Sequence, residues 1–377
     1  MHIYLLTDAI RTLDQNKMSS SSDKYVLNFA KGLARFAKVE ILASAIPSGQ
    51  TLQDGDLVLT GIRPQKVGRF SLSLYKEIDQ VDSLKKHRED AVIIFWGYDL
   101  RQIVPLLKLK LRYGYRCVPF VFDHHGIAIQ DAVFWKKWLA DLFFRAGFMT
   151  IRHFDACLLF QEDAAKELRL RKPFWVGKPG MVQTHPLPKK EQTGFFHVTF
   201  GGTLTKLNGI DVLIEAVSLV QVQGFCLHIY GDGPMRNVVE NAAKQNKAIQ
   251  YHGIVDDCEM QKAYGNSDLL LNLRRTTDHA MKFAFPSKFF ECISTGRPVL
   301  TSRLLDDEEL NQYLYTLDTL TPECIADGIN RIYAEQSFAL EKAAKAKQYA
   351  ERNYHYLKET KDVFTFLKRV VFDQRTG

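Results

Sequence analysis

The chain has 377 residues, 46% of them hydrophobic and 25% charged, with a formal net charge of +7. This length exceeds the usual single domain, and the composition is that of an ordinary globular protein, which excludes disordered, collagenous and repeat classes. The mild positive charge suits phosphorylated ligands or an anionic membrane surface, whereas no zinc finger, RNP-like aromatic motif or Lys/Arg block points to nucleic acid.

The first residues, MHIYLLTDAI, lack a basic n-region, a long apolar core and a small-residue cleavage site, so no signal peptide is expected. From there short apolar runs alternate with longer amphipathic segments. Strands are predicted at 2–7, 39–43, 92–96, 117–122, 156–160 and 174–176. Asp23 to Ala37 carries Val26, Phe29, Ala30, Leu33 and Ala37 at helical spacing behind a Ser/Asp start. No stretch approaches the roughly 18 apolar residues of a membrane span. The longest candidate, Trp138 to Thr150, is broken by Asp141 and Arg145.

Residues 177–194, GKPGMVQTHPLPKKEQTG, hold three prolines and a charge cluster without periodicity, and read as an interdomain linker. Beyond it HVTFGG, LHIYG, IQYHG, LLLNL, PVLTS and YLYTL read as strands, each followed by a helical segment. Thr321-Pro322-Glu323 is a helix start, and 354–372 is helical by period. This alternation implies an α/β chain with parallel sheets covered on both faces, and ligands at the carboxyl ends of the strands. Cysteines at 117, 157, 226, 258, 292 and 324 show no C-x-x-C pair, and Cys157 and Cys226 lie in apolar runs. Buried free thiols in a reducing, cytoplasmic compartment are expected rather than disulfides or zinc.

Four pieces of the second half carry the chemistry. GGTLTKLNGIDVLIEA (201–216) ends a strand in two glycines that let backbone approach a bulky anion, with Lys206 adding charge. YGDGP (230–234) and YHGIV (251–255) are further strand ends. FPSKFFECISTGRPVLTS (285–302) opens a helix at Pro286-Ser287-Lys288, where free backbone N–H groups and Lys288 suit a phosphate. Glu291, one turn on, is placed to accept hydrogen bonds from two ribose hydroxyls. Taken singly, each piece also reads as ordinary α/β structure: turn glycines, a solvated lysine, a helix-surface carboxylate. Their order within one domain favours a nucleoside diphosphate.

As a set these pieces resemble the nucleotide-binding domain of GT-B glycosyltransferases of the large retaining group called glycosyltransferase family 4. The resemblance spans the segments from Gly201 to Pro298. It implies a GT-B fold, two doubly wound Rossmann-like domains facing across a cleft. The division expected is 1–184 for the acceptor side, 185–353 for the nucleotide sugar, and 354–377 as a C-terminal helix returning to the first domain. It also implies that Glu291 holds the ribose, that residues 286–288 and Lys206 contact the diphosphate, and that residues near Gly253 flank the base. Many members place an arginine after the loop glycine and a lysine before the helix glycine. Here those positions are Thr203 and Asn208, leaving Lys206, or Arg274 and Arg275, to supply the charge. A second glutamate of many members is replaced by Phe283.

In the first half VFDHHGIAIQ (121–130) resembles the family's HG loop, with His125 directly before Gly126. The resemblance places His125 near the transferred sugar; the pair also reads as a plain turn. Residues 10–22 form a polar loop with four serines, corresponding to a glycine-rich loop of the family, and Asp8 is a further cleft candidate. Phe134 to His153 and KLKLRYGYR (108–116) mix aromatic and basic residues, and read as a core helix with a wet face or as a surface that rests on an anionic bilayer.

The expected reaction is transfer of a sugar from a UDP- or GDP-sugar to a saccharide or lipid-linked saccharide acceptor, with retention, in cell-surface polysaccharide or glycolipid assembly at the inner face of the membrane. Candidate catalytic residues are His125 and Lys206. Candidate donor-binding residues are Gly201, Gly202, Thr203, Gly231, Gly253, Ser287, Lys288 and Glu291. No persuasive D-x-D metal motif is found, so helix dipole and basic side chains are expected in place of a metal, and no cofactor is expected. A GT-B nucleotide-sugar epimerase and a catalytically silent sugar-nucleotide-binding subunit are the rivals.

Overall fold

The computed structural model describes residues 1–7, 10, 12–13, 21–62, 66–67, 70–71, 81–96, 100–121, 134–171, 173–177, 190, 193–275, 287–305 and 307–372. Two large sheets organise them, and the expected α/β class with mainly parallel strands is what the chain adopts.

The first sheet has eight strands in the order β10-β9-β8-β7-β1-β2-β4-β3. They are β1 (His2–Thr7), β2 (Lys38–Ala43), β3 (Thr51–Asp54), β4 (Leu57–Gly61), β7 (Ala91–Trp96), β8 (Arg116–Val121), β9 (Cys157–Leu159) and β10 (Phe174–Val176). All six strands read from the apolar runs are present, within a residue or two of their expected ends. β3 pairs antiparallel with β4 through a two-residue turn in which Gly55 has φ +59°, the conformation a tight hairpin demands of its first turn residue. A separate short pair, β5 (Lys66–Val67) and β6 (Phe70–Ser71), follows.

The helices of this half are α1 (Ser21–Leu33), α2 (Asp82–Lys86), α3 (Leu100–Tyr113), α4 (Phe134–Ile151) and α5 (Glu162–Glu167). α1 begins two residues earlier than its Asp23 signal and ends four earlier than Ala37. Its apolar stripe of Val26, Phe29, Ala30 and Leu33 is buried against β-strand residues such as Ile3, Leu5 and Phe120.

The second sheet has six parallel strands in the order β13-β12-β11-β14-β15-β16, a doubly wound arrangement that reverses between β11 and β14. The strands are β11 (Phe196–Gly201), β12 (Phe225–Tyr230), β13 (Ile249–Gly253), β14 (Leu269–Asn272), β15 (Val299–Ser302) and β16 (Tyr315–Leu317). Between them run α6 (Ile210–Ala216), α7 (Arg236–Gln245), α8 (Asp257–Asn266), α9 (Ser287–Ser294) and α10 (Glu308–Asn311), followed by α11 (Pro322–Ala334), α12 (Gln336–Asn353) and α13 (Tyr356–Leu367). Thr321 caps α11 as its sequence indicates, its hydroxyl accepting from Cys324 N–H at 3.3 Å ahead of Pro322.

α13 packs on α1, and a π-turn (Lys368–Phe372) continues it. The buried Tyr25 hydroxyl of α1 donates to the buried Glu359 carboxylate of α13 at 2.5 Å. One apolar cluster runs from Phe29 and Phe120 in the first half to Phe290, Tyr354 and Phe366 in the second, and joins the two sheets. Most of the predicted linker, residues 178–189 and 191–192, lies outside the described residues.

The cysteines are free: Cys117, Cys157, Cys226 and Cys292 are buried, Cys324 is half-buried, and Cys258 is exposed on α8. Cys258 therefore departs from the expected burial, because it sits in the first turn of a helix whose outer face meets water.

Candidate active site

Three strand ends meet beside the point where the second sheet reverses. Gly202 N–H donates to the Tyr230 carbonyl at 2.9 Å, and Gly231 N–H donates to the Gly253 carbonyl at 2.7 Å. Tyr251 hydroxyl donates to the Gly231 carbonyl at 3.0 Å. The glycines singled out at 201–202, 231 and 253 thus form one continuous ledge. At Gly231 a side chain is impossible: its φ is +120° and an added Cβ would lie 1.9 Å from the Gly202 carbonyl oxygen. Gly233 closes against the same loop, where Leu204 N–H donates to the Asp232 carbonyl and Met235 N–H to the Leu204 carbonyl, each at 3.0 Å.

The loop after β11 is braced by the residues that depart from the family pattern. Asn208 donates through its amide to the Thr203 carbonyl at 2.8 Å, and its N–H reaches Thr205 Oγ1 at 3.2 Å. Arg275 donates to the Lys206 carbonyl at 2.9 Å and to Asp211 at 2.8 Å. Arg275 therefore holds the loop's shape and not an open anion site, while the Lys206 and Thr203 side chains are exposed. Gly209, with φ +68°, turns the chain into α6.

α9 brings its residues to this ledge. Lys288 Nζ donates to the Gly201 carbonyl at 3.0 Å and stands 3.1 Å from where a Gly202 Cβ would be. Burial lowers its pKa from the ordinary lysine value, an effect opposed by the negative charge of Glu291 and reinforced by Lys24. Glu291, on the next turn, is largely buried, with 20% of its side chain exposed. The Lys24 ammonium lies 4.0 Å from Glu291 Oε1 and also pairs with Asp257 in the first turn of α8. Two cations and two carboxylates therefore alternate along the ledge, one of them delivered by the first half of the chain.

Gly201, Gly202, Gly231, Gly253, Lys288 and Glu291 are brought together. Ser287 begins α9, which puts its backbone at the helix start. His125, Asp8, Phe283 and Pro286 lie outside the described residues, as does most of the 10–22 loop. Lys24 and Asp257 escaped the sequence reading. Lys24 follows a serine run and Asp257 sits among acidic residues of a surface helix, so neither carries a local signal of the partner it meets.

Strand-end glycines, two lysines and Glu291 are thus gathered beside a topological switch point, where open α/β sheets bind ligands. Residues 196–335 match the family model of glycosyl transferases group 1. No curated protein sequence matches the chain. Among solved structures, the chain resembles WaaG, a glycosyltransferase involved in lipopolysaccharide biosynthesis, at 13% identity and TM-score 0.66, covering 96% of this chain and 99% of that one. It resembles Anabaena HepE in complex with UDP and glucose at 13% identity and TM-score 0.67, with 97% and 99% covered. It likewise resembles the trehalose-6-phosphate synthase OtsA at 10% identity and TM-score 0.68, with 98% and 99% covered. At such identities these likenesses speak for the fold. Together with the family match, they identify the chain as a GT-B-fold glycosyltransferase with a glycosyl transferases group 1 domain over residues 196–335.

Proposed function

We propose that the chain moves a sugar from a nucleoside-diphosphate donor, bound on the ledge of the second sheet, to an acceptor hydroxyl presented by the first half. The observation that carries this reading is the convergence of the Gly201–Gly202, Gly231 and Gly253 strand ends on Lys288 and Glu291 of α9. In it, Glu291 accepts from the ribose hydroxyls, the Ser287–Lys288 helix start and Lys206 face the diphosphate, and residues near Gly253 flank the base. Thr203 contributes its loop N–H.

As the bond from the anomeric carbon to the diphosphate breaks, negative charge accumulates on the leaving group. Fixed N–H donors and lysines aimed at it lower that barrier, the logic of an oxyanion hole. The acceptor oxygen forms the new bond to the anomeric carbon, and its proton passes to the departing phosphate, consistent with retention of configuration. His125 is assigned to positioning of the transferred sugar. The division into units 1–184, 185–353 and a returning 354–377 belongs to the same reading.

The likeness to a lipopolysaccharide enzyme and to a chain that binds UDP and glucose supports a UDP-sugar donor and a cell-surface saccharide or glycolipid acceptor. A membrane-facing acceptor has its own support. Among the described residues no helix is long and apolar enough to cross a membrane. α3 and α4 nevertheless pack side by side and expose Val104, Leu111, Trp138, Leu142 and Met149 beside exposed Lys108, Arg112 and Arg145. Exposed apolar and basic residues in one patch favour seating on an anionic cytoplasmic leaflet over a core helix with a wet face.

The test is thermal denaturation of the full chain with UDP, GDP, ADP and their sugars, against Glu291→Ala. A ligand that binds only the folded chain raises the melting temperature, and the substitution should abolish that rise. No shift with any nucleotide at millimolar concentration would remove the donor-site reading.

A further inference from the structure

The face of the second sheet opposite its main apolar cluster carries a set of side chains that the proposed transfer does not use. Parallel pairing sets His197 on β11 directly across from Cys226 on β12, and Thr199 across from His228. Strand alternation then puts Cys226, His228 and Tyr230 on the same side as His197. On β13, His252 stacks on Tyr230 with ring centroids 4.3 Å apart.

The imidazoles face one another nitrogen to nitrogen. His197 Nδ1 lies 2.9 Å from His228 Nε2, and His228 Nδ1 lies 3.0 Å from His252 Nε2. The outer nitrogen of His197, Nε2, lies 2.5 Å from Thr193 Oγ1. One ring nitrogen each of His197 and His228 and the Cys226 sulfur offer ligand atoms that all lie within 4.8 Å of one another. A cavity of about 650 Å³, lined in part by His197, His228, His252 and Thr199, opens beside the imidazoles.

We propose that Cys226, His197 and His228 form a binding site for a thiolate- and imidazole-seeking divalent ion of the zinc type, with its fourth position open to the cavity. A hydrogen-bonded chain of imidazoles would account for the three histidines but has no use for a thiol. The sulfur within reach of both rings is what points to a soft or borderline ion. Tetrahedral ligation at the usual Zn–N distance of about 2.0–2.1 Å separates two nitrogens by roughly 3.3 Å. The 2.9 Å contact therefore needs to open by only a few tenths of an ångström.

The outer atoms fit as well. With the ion on His228 Nε2, Nδ1–H donates to His252. With the ion on His197 Nδ1, Nε2–H donates to Thr193. Each ligand nitrogen thus has the partner that fixes its tautomer and aim in metal sites. The Cys226 sulfur ligates as thiolate, so its proton passes to solvent as the sulfur–metal bond forms. The bound ion would clamp β11 to β12 on the side of the sheet away from its apolar core.

The probe is Co²⁺ added to the metal-free full chain. The expected result is about one ion bound per chain, with the visible bands of tetrahedral cobalt and a near-ultraviolet thiolate-to-cobalt band. Cys226→Ser should abolish the thiolate band, and Cys258→Ser, at the exposed cysteine, should leave it intact. His252→Ala should weaken binding roughly 10–100-fold, as loss of an outer partner does. A thiolate band that is absent, that survives Cys226→Ser or that vanishes in Cys258→Ser overturns the proposal. Should Cys226→Ser fail to fold, His197→Gln, at a partly exposed position, is read instead. It must lower cobalt affinity at least tenfold, and unchanged affinity overturns the proposal.

Discussion

The Lys24 ammonium of α1 stands 4.0 Å from Glu291 Oε1 of α9 while making its closer contact with Asp257 of α8. One cation from the first half of the chain is thus shared by two carboxylates of the second, at the edge of the candidate donor site. All three side chains are partly shielded, with 15–20% exposed. Double-mutant cycles built from Lys24→Met, Asp257→Asn and Glu291→Gln should therefore give unequal couplings. The Lys24–Asp257 pair is expected near 1 kcal/mol and the Lys24–Glu291 pair at about 0.3 kcal/mol, the range of partly solvated pairs. Equal couplings, read from shifts in melting temperature, would contradict the shared-cation geometry.

The ledge makes a second, sharper prediction about glycine. Gly231 has φ +120° and no room, its added Cβ lying 1.9 Å from the Gly202 carbonyl oxygen. Gly253 has φ +70°, with the nearest atom, the Tyr251 hydroxyl, at 4.0 Å. Gly231→Ala must therefore push two strand ends apart and should cost about 3 kcal/mol or more. Gly253→Ala carries only the left-handed backbone penalty, about 1 kcal/mol. Thermal melts of the two variants would show the difference. If both fell alike, strain and not the close approach would govern this edge.

Much of this architecture was legible because its signals are local. Apolar runs such as AVIIFW and LLLN gave strands, and Thr321-Pro322 gave a helix start, because each encodes its own hydrogen-bonding pattern within a few residues. The Thr51–Gly61 hairpin carries no strong strand signal, although its Gly55-Asp56 turn suits a tight hairpin, because β3 is a short polar edge strand with little apolar pattern to flag it. At the site, the glycines, Lys288 and Glu291 could be read from spacing along one domain. Lys24 could not, since its partners lie more than two hundred residues away. The same holds for His197, Cys226 and His228, which only strand register brings to one face.

His355 gives a pH prediction. It caps α13, its Nδ1 accepting from Leu357 N–H at 3.2 Å, a role open only to the neutral ring. Burial, reinforced by Arg35 and opposed by Glu351, holds its pKa below the ordinary value. Between that lowered value and the unfolded value of about 6.5, the unfolded chain binds more protons. The stability in question is therefore present above pH 6.5 or so and lost as pH falls through the window. His355→Asn keeps an acceptor at the cap without titrating. Its melting temperature should fall less than that of the wild type between about pH 7 and pH 5; an equal fall would place the acid sensitivity elsewhere.

The patch on α3 and α4 yields the last prediction. Trp138 is 61% exposed and Leu142 52%, one turn apart, with Arg145 and Met149 continuing the same stripe. Moving a large apolar side chain out of water contributes about 1.5–3 kcal/mol, so two such residues seated among lipid headgroups should dominate binding to a bilayer. Each basic residue near an anionic surface adds about 1 kcal/mol, a contribution that salt screens over roughly 10 Å. The chain should therefore sediment with vesicles containing phosphatidylserine and not with neutral ones. Added salt should weaken that binding, and Trp138→Ser with Leu142→Ser should weaken it more than about 100-fold. If the double variant bound as the wild type does, the apolar stripe would have no part in membrane contact. If salt alone had no effect, the basic residues would have none, and a lipid-linked acceptor would lose its structural support.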